Sequence, residues 1–100
     1  MAMRTADFRV SGKVQGVFFR AFVRNTAQDL RIVGWVKNEP SGDVVGTAQG
    51  PEDALTKFKE ALHQGPPQAH VSGVQFSNES ALERPQYQGF EKVKNHRAGA

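Results

Sequence analysis

One hundred residues, 38% of them hydrophobic and none of them cysteine, provide for one domain and exclude disulfides, thiolate metal sites and a cysteine nucleophile together. Thirteen Lys and Arg against ten Asp and Glu leave a net charge of +3, which favours an anionic ligand without choosing between a small phosphate and a nucleic acid. The opening MAMRTADFRV carries no apolar run of signal-peptide type, and nothing downstream is long enough to span a bilayer, so a soluble cytoplasmic monomer is expected.

Taken in chain order, Phe8, Val10, Gly12 and Val14 alternate with Arg9, Ser11 and Lys13, the period of a strand with one buried face. The period then changes. Phe19, Phe22, Val23, Thr26, Ala27 and Leu30 recur at steps of three and four, which predicts an amphipathic helix over about 19–31. Residues 33–38 read as a second strand rich in β-formers. Glu39-Pro40-Ser41-Gly42 supplies turn chemistry, and residues 43–49 return as a third strand, so the pair is a hairpin. Gly50-Pro51-Glu52-Asp53 opens a second helix, with glycine at the cap, proline in the first turn and carboxylates at the positive dipole end. Ala54, Leu55, Phe58, Ala61 and Leu62 form its apolar stripe, and Gly65-Pro66-Pro67 ends it. A fourth strand runs over about 69–77. Val71 and Val74 lie out of phase there, which places a bulge near Gly73. Residues 77–86 are polar and read as a loop. Residues 87–93 make a short last strand around Phe90, with Lys92 awkwardly on the face of Phe90, and the basic residues 94–100 read as a solvated tail.

The order is β-α-β-β-α-β with an extra strand at the end. Right-handed crossovers then give an α+β, ferredoxin-like βαββαβ sandwich, two helices packed on one face of a mainly antiparallel sheet. A single domain over residues 1–100, with a core at about 6–93, is expected. The fold alone names no function.

Chemistry concentrates in GKVQGVFFR, residues 12–20. It lies between the first strand and the first turn of the first helix, where amides lack helical partners and the dipole is positive. Glycine at Gly16 lets the loop turn its amides inward as a nest for an anion. Arg20 adds a planar fork of donors, and no acidic residue lies between Asp7 and Asp29 to compete for it. On spacing alone, an ordinary strand-to-helix turn followed by an exposed arginine stands beside the phosphate cradle as an equal alternative. Phe18 and Phe19 read as core or loop anchors through their side chains.

The same stretch resembles the signature of the acylphosphatase family, in which a strand ends in G-x-V-Q-G-V-x-F-R. A second family pattern, G-W-V-x-N followed by a turn and G-x-V, is similar to GWVKNEPSGDVV at 34–45, and AQG at 48–50 fits as well. The resemblance spans roughly residues 6–93. It implies a phosphate-binding arginine at Arg20, cradle amides from Gln15 through Gly16, Val17, Phe18 and Phe19 to Arg20, and a water-positioning asparagine at Asn38. Topology is consistent with that pairing: strands joined by a helical crossover run parallel, so both carboxyl ends reach one edge of the sheet. The implied reaction is metal-independent and cofactor-free hydrolysis of an acyl phosphate to a carboxylate and inorganic phosphate. A carboxylate leaves without being protonated, which relaxes the demand for a general acid. Thiol phosphatases place a cysteine six residues before the arginine of a similar loop; here that position is Val14, so no phosphoenzyme is expected.

Other readings have less behind them. His63, His70 and His96 lack ligand spacing, no G-x-S-x-G elbow is present, and Trp35 reads as a core or sheet-surface residue. RNA-recognition domains share the element order, but they stack bases on aromatics of central strands, and DVVGTAQ has none; no nucleic-acid or membrane partner is expected. A module that only binds acyl or carbamoyl phosphate for a larger machine is a third possibility, which one domain of this length disfavours. Two residues depart from the family pattern with consequence: Glu39 sets a negative charge beside the anion site, and Lys92 replaces an apolar residue in the last strand.

Overall fold

Alternation in the first strand sets the sheet's two faces. Ala6, Phe8 and Val10 are buried beneath the helices, while Asp7 and Arg9 point to the opposite, polar face. The computed structural model describes residues 3–16 and 18–93. Among them the chain forms β1 (Met3–Lys13), α1 (Phe19–Asp29), β2 (Val33–Asn38), β3 (Val44–Pro51), α2 (Glu52–Gln64), β4 (His70–Leu82) and β5 (Phe90–Lys92). No helix among them is long and apolar enough to cross a membrane.

The strands order as β4-β1-β3-β2-β5. β3 pairs antiparallel with both β1 and β2, β4 pairs antiparallel with β1, and β5 joins β2 in parallel. β1, β2 and β5 therefore share a direction, and their carboxyl ends meet at one edge of the sheet. This is the ferredoxin-like α+β fold, with its additional strand. Phe19, Val23 and Ala27 of α1 and Leu55, Phe58 and Leu62 of α2 pack on Phe8, Val10, Val36, Val44, Ala48 and Phe90 of the sheet. Phe58 bridges the layers, edge-on to Phe8 at 5.5 Å between ring centroids and 6.2 Å from Phe90.

Several boundaries differ from the sequence expectation, each for a local reason. α1 stops at Asp29 instead of about 31 because Arg31 turns left-handed (φ 60°) and the Ile32 amide reaches back to the Ala27 carbonyl at 2.8 Å, a Schellman closure. Gly50 belongs to β3, which extends to Pro51, and Pro51 itself caps α2. β4 continues to Leu82 through the segment expected as loop. Its polar residues sit on an edge strand paired only with β1, so backbone bonds to residues 3–7 hold it without apolar alternation. The expected bulge is present: Ser11 faces Gly73 but Gly12 faces Val71, leaving Ser72 over. A second lies between Ser77 and Ser80, where Asn78 takes φ 54°. The tail at 94–100, with His96, lies outside the described residues.

Candidate active site

The loop from β1 to α1 is built on two left-handed residues. Gly16 has φ 74°, and a Cβ added there would meet nothing within 4 Å, so the backbone angle and not crowding requires glycine. Phe18, the N-cap of α1, is also left-handed (φ 59°, ψ 25°) and offers no side-chain cap. Val17 between them lies outside the described residues. The first bond of the helix runs from the Phe22 amide to the Phe18 carbonyl at 3.0 Å. Among the described residues, the amides of Gly16, Phe18, Phe19 and Arg20 find no protein acceptor. Four main-chain donors at a helix N-terminus are thus left for a ligand or water.

Phe18 and Phe19 part company. Phe19 is buried in the core, as its place on the helical stripe predicts. Phe18 is 81% exposed, which corrects its reading as a core or loop anchor: at the N-cap the chain has left the strand and not yet turned the side chain under the helix.

In front of these amides lies a concavity of about 280 Å³. Val14 and Phe19 form part of its apolar lining, Phe18 lines it as well, and Arg20, Asn38 and Lys92 bring polar groups to it. Val14 is buried, so the position a thiol nucleophile would hold carries a packed isopropyl group. Arg20 is half-buried, and its Nη1 donates to the Val93 carbonyl at 2.7 Å. That bond ties one arm of the fork to the chain just beyond β5 and leaves the other donors uncommitted.

Asn38 ends β2 at the same edge. Its Oδ1 is buried with no hydrogen-bond partner among the described residues. An unpaired buried amide oxygen costs about 1–3 kcal/mol, so this acceptor is left unpaired at a stability cost, on a residue that lines the concavity.

Gln15 contributes its side chain elsewhere. Its Nε2 donates to the main-chain oxygens of Glu39 at 2.8 Å and Asp43 at 3.0 Å, strapping the loop to the β2–β3 turn that directly follows Asn38. Its amide alone remains for the cradle. The carboxylate of Glu39, a concern for an anion site, turns to the outer face: Oε1 lies 3.4 Å from Arg9 Nη2 and Oε2 3.9 Å from Lys37 Nζ. Arg9 also holds Asp43 at 2.7 Å. The hydrogen bond to Asp43 pushes the Arg9 guanidinium further up from its already high range, helped by Glu39, so this cation is permanent. Trp35 lies on the outer face with Lys37 Nζ 5.6 Å from its ring, a sheet-surface role.

Arg20 and Asn38, which sequence reasoning paired, line the same concavity. That reasoning missed the Gln15 strap and the Val93 carbonyl, both contacts over long separations, and it saw Lys92 only as an ill-fitting residue.

Similarity to known proteins bears on identity. The family model described as Acylphosphatase matches residues 6–92. Acylphosphatase-2 of Meleagris gallopavo is 40% identical over 90 residues, covering 89% of this chain and 87% of that protein. The crystal structure of acylphosphatase from Bacillus subtilis superposes with a TM-score of 0.83 at 40% identity, covering 90% of this chain and 98% of that one. An acylphosphatase from Coxiella burnetii gives a TM-score of 0.80 at 42% identity, with 92% and 94% covered. With the family model spanning nearly the whole domain and these relatives matching in both sequence and fold, the chain belongs to the acylphosphatase family.

Proposed function

We propose that this protein hydrolyses acyl phosphates, with the phosphoryl group seated on the amides of residues 15–20 against Arg20 and the attacking water held by Asn38. The observation that carries the reading is that Asn38, whose buried Oδ1 has no partner among the described residues, lines the same concavity as Arg20 and the loop of unengaged amides. An acceptor in that place takes a hydrogen bond from water and aims its lone pair at phosphorus.

In this scheme the water oxygen forms a bond to phosphorus as the bond from phosphorus to the acyl oxygen breaks. The electron pair leaves on the carboxylate, and the proton of the water passes to a phosphate oxygen. Charge spreads over the equatorial oxygens in a loose transition state, where fixed amides and a guanidinium act without reorganising. Val14 in the nucleophile position favours direct attack by water over a covalent intermediate.

The test is release of phosphate from benzoyl phosphate by the wild type, Arg20→Ala and Asn38→Ala, each with and without a chelator. Turnover by the wild type that survives chelation and collapses in both variants is the expected result. Wild-type protein that is folded and inert toward this substrate, or one silenced by the chelator, would sink the proposal.

A further inference from the structure

We propose that Lys92 selects acyl phosphates whose acyl part carries a second negative charge; this rests on the hydrolytic reading above. Parallel pairing sets Lys92 opposite Val36 and Phe90 opposite Gly34. Val36 and Phe90 are buried on the helix side of the sheet, so Lys92 occupies the same face one step further along β5. A hydrophobic residue is the natural choice for packing there. Instead an exposed lysine lines the concavity that Arg20 and Asn38 line.

The charge is unspent. Lys37 and Lys59 have glutamate partners, whereas Lys92 has no ion-pair partner among the described residues. Its neighbour Glu91 is directed by the strand alternation to the outer face, opposite Trp35. No acidic side chain among the described residues lines the concavity. Glu39 and Asp43, the carboxylates next along β2 and β3, are held by Arg9 on the far face.

A transferring phosphoryl group is already provided for by the amides and by Arg20. At about 280 Å³ the concavity also has room beyond that group, and its remaining occupant is the acyl moiety. Being exposed while still lining the cavity, Lys92 stands at the mouth, where the acyl part emerges. An ammonium there attracts a carboxylate or phosphate carried on the acyl group and adds nothing for a neutral one.

The experiment compares 3- and 4-carboxybenzoyl phosphate with the matched methylbenzoyl phosphates, whose rigid rings forbid cyclisation. The readout is the ratio of kcat/KM for the charged substrate to that for its neutral partner, in wild type, Lys92→Met and Lys92→Arg, with inhibition by inorganic phosphate measured in each. The wild type favours the charged substrate. Lys92→Met lowers the ratio about three- to tenfold through KM, and Lys92→Arg restores most of it. The preference also shrinks as ionic strength rises. A ratio unmoved by Lys92→Met in both ring positions overturns the inference while leaving hydrolysis intact. So does a loss shared equally by charged and neutral substrates together with weaker phosphate inhibition, which would make Lys92 a phosphoryl ligand. Folded wild type inert toward all four substrates overturns the hydrolytic reading itself.

Discussion

Asn38 and Arg20 face one cavity but differ in what their loss should do. Asn38 carries a buried, unpartnered acceptor, which in the proposed reaction takes the hydrogen bond of the attacking water and not the phosphate. Asn38→Ala is therefore expected to lower kcat by about 100-fold or more, as misplacing a reactant does, while the inhibition constant for phosphate stays within about threefold. Arg20→Lys is expected to weaken phosphate inhibition by at least about tenfold, because an ammonium cannot both donate to Val93 and present a fork. Equal losses of affinity in the two variants would dissolve the division of labour. Both residues were legible because each falls within a recognisable motif, Asn38 at the end of β2 and Arg20 in the first turn of α1. The conformation of Phe18 was not, since a left-handed angle on a bulky residue leaves no mark in composition or period. That angle costs about 1–2 kcal/mol, and an 81% exposed ring returns little burial for it. Phe18→Asn, which tolerates the left-handed region, is expected to raise stability by about 0.5–1 kcal/mol in urea titration. A destabilised variant would mean that the ring packs on something after all.

At the scale of elements, the site depends on how a loop after one strand is held to a turn after another. The Gln15 amide group donates to two carbonyl oxygens that bracket the β2–β3 turn, itself closed by the Glu39 amide on the Asp43 carbonyl at 2.8 Å. Cradle and Asn38 are thereby fixed to each other. Gln15→Leu is expected to cost about 1–3 kcal/mol of stability, the net worth of two hydrogen bonds. Gln15→Glu should cost more at neutral pH, because a carboxylate would face two oxygens that offer it no donor. Denaturant midpoints in the order wild type, Leu, Glu check this; equal midpoints would reduce the strap to an incidental contact. The hairpin, both helix stripes and the bulge near Gly73 follow from local pattern and turn residues. The Gln15 contacts and the far half of β4 do not, because they exist only once β1 has brought distant segments alongside.

Across the whole molecule, three parallel strands deliver the chemistry to one edge, and the third of them was hardest to anticipate. The crossover rule ties β1 to β2 from element order alone, but β5 is three residues long and its parallel register sets where Lys92 and Val93 fall. Phe90 anchors that strand in the core against Phe58, so the bond from Arg20 to the Val93 carbonyl depends on packing at the opposite end of β5. Phosphate binding and folding should accordingly be linked through this strand. Saturation at about a hundred times Kd adds about 2.7 kcal/mol to the stability of the wild type. Phe90→Leu, a modest core change, is expected to lower stability and also to shrink that increment at a fixed phosphate concentration, because the loosened strand no longer holds Arg20. Leu62→Ala in α2 removes about 2–5 kcal/mol from the same core without touching β5, and its phosphate increment should match that of the wild type. Urea titrations with and without phosphate separate the two. If both variants keep the full increment, or both lose it in proportion to their instability, β5 contributes packing alone and Arg20 is held in place by α1.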